Sequence, residues 1–388
     1  MHVKARKLIG LLIASSAMMA SQFGYAQGVS ASKTVTVMNE TLSFGGANDD
    51  VDLTLLGSVQ ISYAISAIGH FAKEEASNSL VNDFSNAQLI LQKNLGSFAY
   101  YIQAGSYLMA NLAEPIARSS SVSNDYGFIP HAYVTYSFDQ QWSLMVGKLL
   151  SMPGFENPFT YQNQNIQRGL LERHNNTISR GIQLNYKDDK KSFFMSLNDG
   201  FYSGKYSWIG VGGTYQEDVY NSTSMMWGGA QRANQMGSLV SPILQNNSQI
   251  FNFSHSLTSK NWSFIPYYQL TVVPVNDATV LKDQLSTHGL ATILDYQFPQ
   301  QMYFLGHSWR VNLPLRIERL RSSAIAMLNS SNFDTVAYTN ARSVTFTPTF
   351  QAGDYFFRTE ISHTQAISSD FFKSSSPTRV LFEVGILH

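Results

Sequence analysis

Within stretches that alternate polar and apolar residues, opposite charges stand two residues apart at Arg316 with Glu318 and at Arg358 with Glu360. Arg310 shares the polar phase of the first stretch, and Glu383 takes that of the C-terminal stretch. On a β-strand, residues i and i+2 share a face, so these six side chains would line one surface as a charged ladder. Such a ladder can brace a wall through cross-strand pairs or select ions that pass beside it, and the two roles are compatible. A second charged set, Glu156, Arg168, Glu172 and Arg173, falls in one segment, 151–176, which is rich in Asn and Gln and stiffened at its start by Pro153 and Pro158. Folded inward, that segment would narrow a pore; folded outward, it would be an ordinary surface loop.

Other chemistries find little footing. Hydrolysis by a nucleophilic Ser needs a His to polarise it and a third group to orient the His. Of the nine His, His131, His174, His255 and His363 lie in or near alternating stretches, and none forms a motif with a Ser. There is no H-x-x-x-H, no carboxylate cluster with ligand spacing and no Cys, so metal ligation is not indicated. A phosphate-binding glycine loop and a dinucleotide fingerprint are also missing. The reading is of a protein that is not an enzyme and has no cofactor.

The elements that would hold the charged ladder are short amphipathic strands. At the C-terminus Val380, Phe382, Val384 and Ile386 fall on one face, with Arg379, Leu381, Glu383, Gly385 and Leu387 on the other. Outer-membrane β-barrels end on such a strand, usually closing in Phe or Trp; here the last residue is His388, in the outward phase. From Trp309 onward, Val311, Leu313, Leu315 and Ile317 oppose Arg310, Asn312, Pro314, Arg316 and Glu318. Short turns at 94–97, 139–141, 187–190, 258–261, 298–301 and 352–354 take turns with long polar connections at 69–83, 109–127, 151–176, 276–286, 322–342 and 367–377. That rhythm is the one imposed when turns face the periplasm and loops face outside. Fourteen strands are clear, and a weaker pair near 208–216 and 222–230 makes sixteen, the even number expected if both termini are periplasmic. Tyr136, Phe138 and Trp142 beside a short turn read as an interface girdle.

Export fits this picture. The chain opens M-H-V-K-A-R-K, continues with an apolar run over 8–20 and reaches Gly24-Tyr25-Ala26 before Gln27. This is the layout of a cleaved signal peptide, and the run is shorter than the roughly 20 residues that span a bilayer. Losing Lys4, Arg6 and Lys7 takes 26 basic residues to 23 against 26 acidic ones, a net of about −3, which argues against a nucleic-acid partner. Without Cys there is no disulfide scaffold. Charged residues make up 13% of the chain while Tyr and Phe number 20 and 25. Charge is thus about half the usual share, as expected of a barrel whose lipid face is spread over many alternating strands.

Three stretches carry a resemblance to a known family. Residues 132–186 contain A-Y-V-T-Y-S-F, V-G-K-L-L-S-M-P-G-F-E-N-P and R-G-L-L-E-R-H-N-N-T-I-S-R-G-I-Q-L-N-Y; S-L-N-D-G-F-Y ends at Tyr202; V-T-F-T-P-T-F-Q-A-G-D-Y-F-F-R-T-E-I-S-H ends at His363. Together they resemble the OmpL-like beta-barrel porin-2 family. The resemblance implies an outer-membrane channel for small solutes, without naming one. The expectation is therefore an all-β, transmembrane antiparallel barrel over 51–388, preceded by a signal peptide at 1–26 and a periplasmic extension at 27–50. It would pass small hydrophilic solutes by diffusion in the outer membrane of a Gram-negative cell. Its partners would be outer-membrane lipid, the barrel insertion machinery and, in a homotrimer, two further copies. A plug-less nutrient or siderophore transporter and a non-conducting adhesin are the alternatives.

Overall fold

The computed structural model describes residues 42–44, 50–53, 57–73, 78–94, 96–112, 116–150, 154–237, 242–279, 281–323, 340–367 and 377–388. The expected signal peptide at 1–26 and most of the 27–50 extension lie outside these residues.

Alternation produces twenty strands in one sheet: β1 (Asp50–Leu53), β2 (Gly57–Lys73), β3 (Asn78–Lys93), β4 (Phe98–Tyr107), β5 (His131–Ser137), β6 (Trp142–Leu150), β7 (Ile178–Lys187), β8 (Lys191–Asn198), β9 (Trp208–Gln216), β10 (Asn221–Ala230), β11 (Gln249–Thr258), β12 (Trp262–Val273), β13 (Leu285–Tyr296), β14 (Met302–Phe304), β15 (His307–Asn312), β16 (Leu315–Ser322), β17 (Asn340–Phe346), β18 (Thr349–Ala352), β19 (Tyr355–Ile367) and β20 (Thr378–Leu387). Sixteen of them close an antiparallel ring, in which β13 pairs with β16, β17 with β19, and β20 with β2. Closure leaves no free sheet edge in the bilayer, where an unpaired backbone group is costly. The weaker pair read from the sequence is present as β9 and β10.

Two wall strands are interrupted at prolines. Pro314 separates β15 from β16 and Pro348 separates β17 from β18, because a proline has no N–H for the ladder. Their carbonyls still take part: Thr347 N donates to Pro314 O at 3.0 Å and Thr359 N to Pro348 O at 3.1 Å.

Short turns are held by one recurrent device, an Asp whose carboxylate accepts backbone N–H groups two and three residues on. Asp139 accepts from Gln141 and Trp142, Asp188 from Lys190 and Lys191, and Asp218 from Tyr220 and Asn221, all at 2.7 to 2.9 Å. Aromatic pairs gather beside these turns, including Phe98 with Tyr136, Tyr136 with Phe138, Trp142 with Tyr186 and Trp262 with Tyr296.

One connection differs from the sequence reading. Residues 69–83 were expected as a long polar loop, yet β2 runs on to Lys73 and β3 begins at Asn78. A β-bulge between Ser66 and Ala67 shifts the register, and Ser85 and Asn86 are both buried while Phe84 is exposed. Two successive inward residues break the period of two by which a strand is recognised. The connection at 109–127 also contains a helix, Ser119–Tyr126.

The fold is inverted relative to a water-soluble protein. Along β20 Phe382 and Val384 are 56% and 60% exposed, while Arg379 and Glu383 are 4% and 2% exposed. The seam closes at His388, which exchanges backbone hydrogen bonds with Tyr63, stacks on its ring at 5.1 Å and places Nδ1 2.8 Å from Asp354 Oδ2.

Candidate functional site: the lumen and its inward loop

The inward faces of β16, β19 and β20 place five of the six ladder residues together. Arg316, Glu318, Arg358, Glu360 and Glu383 are each 3% exposed or less. Arg316 Nε lies 3.2 Å from Glu318 Oε2, the two-apart pair on one strand. Arg358 instead pairs across strands: it faces Glu383 in register, with Nη2 2.6 Å and Nε 2.7 Å from Oε2. Glu360 has a different task, accepting the backbone N–H of Ile166 at 2.6 Å and the hydroxyl of Thr347 at 3.0 Å. Arg310 stands apart, nearer the short-turn end, donating to Gln351 Oε1 and to Ser43 Oγ. Residues 42–44 thereby reach the barrel interior. Leu42 is buried in the apolar cluster that includes Tyr161, and the Phe44 ring meets the Tyr161 ring edge-on at 5.9 Å.

The connection between β6 and β7 turns into the barrel and covers these side chains. Its two short 3-10 turns, Thr160–Gln162 and Leu171–His174, are buried except for the half-buried Arg173. Polar and aromatic contacts tie it to the wall. Arg316 Nη1 donates to Glu156 Oε1 at 2.5 Å and to Gln167 O at 2.9 Å. Arg358 Nη1 donates to Asn163 O at 3.0 Å, and Thr160 Oγ1 to Glu383 Oε1 at 2.6 Å. Asn165 Nδ2 reaches Thr347 Oγ1 at 2.7 Å, and Phe155 stacks on Tyr267 at 5.2 Å.

Of the charged residues expected on this loop, Glu156 meets the wall ladder through its side chain, at Arg316. Glu172 braces the loop from within, accepting the N–H groups of Phe155 and Glu156 at 3.0 and 3.1 Å and Asn175 Nδ2 at 2.8 Å. Arg168 donates to Thr177 Oγ1 at 3.1 Å, and its backbone bridges to residues 110–112 as a parallel pair. Arg173 sits half-buried at the end of its turn. Arg379, which the sequence reading did not single out, donates to Asn111 O at 3.1 Å and so ties β20 to the same lumenal segment. Its inward phase on the last strand was the available signal.

Burial pushes the Glu156 carboxyl up to about 7; the Arg316 guanidinium opposes that shift, and neighbouring Glu172 and Glu318 add to it. Glu156 is on the connecting loop, outside the wall strands. Chemically the arrangement offers a polar, charged inner wall and a folded segment held across it. Among the described residues no group of metal-ligating side chains occurs.

The family model described as "Putative beta-barrel porin-2, OmpL-like" matches residues 53–387, the span from β1 to the end of β20. The chain belongs to this family. It is a porin-like channel of the outer membrane. No curated protein matches the sequence. Among solved structures the porin shares its fold with the outer-membrane channel DcaP of Acinetobacter baumannii, at 12% identity and TM-score 0.58 over 88% of this chain and 100% of that one. It is also similar to the anion-selective porin from Comamonas acidovorans, at 9% identity and TM-score 0.55 over 85% of this chain and 99% of that one. Adhesin and transporter readings are not favoured by these matches.

Proposed function

We propose that the inward loop, residues 151–176, is the constriction of this porin, and that small hydrophilic solutes diffuse past it along the charged ladder. The observation that carries the proposal is Arg316, which holds loop Glu156 with one nitrogen and wall Glu318 with another. A loop tied by buried charge keeps one position, and a fixed charged aperture discriminates by size and sign. Arg310, Arg316, Glu318, Arg358, Glu360 and Glu383 would line the path, and Glu156, Arg168, Glu172 and Arg173 would set its narrowest part. The porin would carry out no covalent chemistry. The mature chain would start near Gln27 after removal of residues 1–26, with 27–50 as a periplasmic extension whose residues 42–44 reach into the barrel, and the barrel from 51 onward. The insertion machinery would read the last strand, and three barrels would associate.

Single-channel conductance of the refolded mature porin in a planar bilayer under a salt gradient tests this reading. Discrete ohmic steps are expected, with a reversal potential that moves when Arg316 and Arg358 are replaced by Ala. An unchanged reversal potential would remove both as selectivity determinants. A barrel that inserts without conducting would overturn the open-channel reading.

A further inference from the structure

Three arginines on the neighbouring strands β16 and β17 point away from the lumen. On β16, Arg319 and Arg321 share the outward phase with Ile317, and on β17 Arg342 shares it with Val344; all three arginines are exposed. Their strand ends lead into the long connections, so they lie at the extracellular rim. The surface just below them is apolar: Leu290, Ile317, Val344 and Ile361 are 48% to 59% exposed.

The three are neighbours in the sheet. Arg319 faces Arg342 directly in register, and Arg321 faces His288. Like charges opposite one another repel, and among the described residues no ion pair joins any of the three to a carboxylate. The described polar contact is that of Arg342, whose Nε donates to Gln365 Oε1 at 2.7 Å and fixes its orientation. The other outward basic pair on this rim, Lys148 with Arg180 on β6 and β7, is built differently. There Arg180 pairs with Asp199 at 2.7 Å, and the Lys148 amine donates to the backbone carbonyls of Tyr126 and Ile129. Charge at one outward site is answered by Asp199 and two backbone carbonyls; at the other no described carboxylate answers it.

We propose that Arg319, Arg321 and Arg342 form a docking site for the phosphate groups of lipid headgroups in the outer leaflet. Guanidinium groups bind phosphate oxygens through paired N–H donors, and basic side chains at the membrane surface attract anionic lipid. A headgroup with two phosphates would bridge β16 and β17 and relieve the repulsion between Arg319 and Arg342, while its acyl chains lie on the apolar belt beneath. The inference needs only the barrel's place in the membrane and is independent of what the channel conducts.

The test is lipid retention by the full mature porin, delipidated in detergent and followed by native mass spectrometry. It is titrated with a glycolipid carrying two phosphate monoesters, with its dephosphorylated form and with inorganic phosphate. The wild type should hold the phosphorylated lipid about tenfold or more tightly than the dephosphorylated one. The variant R319Q/R321Q/R342Q should lose that preference, and a control losing two exposed lysines at a short turn, K190Q/K191Q, should keep it. An undiminished preference in the triple variant overturns the proposal. So does equal occupancy by inorganic phosphate, which would make the patch a free-anion site. If the triple variant does not fold, the wild type decides: a preference that falls steeply with salt supports the site, and one indifferent to salt overturns it.

Discussion

Gly169 of the inward loop lies against the Glu318 carboxylate of the wall so closely that a Cβ at position 169 would stand 2.1 Å from Oε1. Glu318 cannot easily swing aside, because Arg316 and the Ser343 hydroxyl hold its other oxygen at 3.2 and 2.8 Å. A Gly-to-Ala change at a compatible position usually stabilises a protein by some tenths of a kcal/mol. Here Gly169→Ala is expected to destabilise by about 1–3 kcal/mol, the range for overpacking. Thermal unfolding of the refolded barrel in detergent reads the sign, and a raised midpoint would show that the loop is not seated on Glu318.

Arg316→Ala should be the most damaging single change in the lumen. It leaves Glu156 and Glu318 facing each other in a buried site, and breaking such an arrangement costs about 3–5 kcal/mol. The double variant R316M/E156M removes both sides of one contact and should recover part of the loss. A double-mutant cycle on the unfolding midpoint measures the coupling, and additive effects would mean that Arg316 does not anchor the loop.

Glu156, raised by burial to about 7, gives the lumen a pH dependence near neutrality. Below that value it is protonated and Arg316 keeps Glu318 as its remaining carboxylate partner, so the lumen gains one positive charge. Above it, the carboxylate is restored. Reversal potential under a salt gradient should therefore shift toward anion preference as pH falls from about 8 to about 6. The Glu156→Gln variant should show the low-pH value throughout. A wild-type potential flat across this range would contradict the assignment.

His388 stacks on Tyr63 and meets Asp354, yet its outward phase is that of the apolar residues before it. His388→Phe should keep the stack while giving up the contact with Asp354. Assembly in cells, measured as the folded, heat-modifiable fraction, should stay equal or rise. A sharp fall would mean that the contact between the last residue and Asp354 is needed for closure.

Much of the fold was legible because alternation is local. Val380, Phe382 and Val384 declare one face of β20 by spacing alone, and the alternation of short turns with long connections shows where strands reverse. The reading failed where local pattern was broken, at the bulge near Ser66 and in β3, where Ser85 and Asn86 both turn inward and disguise strand as loop. Within the site, strand phase placed Arg316, Arg358 and Glu383 on the inner wall, but phase does not choose partners. Arg358 and Glu360 looked like a pair and are not one.

By itself, then, the sequence determined the alternation of the regular strands, the number of strands, and the side on which the long connections lie. These follow from a period of two and from the length of each connection. Tertiary structure alone decided that the loop over 154–176 turns inward, that Glu360 binds its backbone N–H groups, and that Arg319 confronts Arg342 on the outer wall. Each of these depends on register between strands distant in sequence, set by closure of the whole ring.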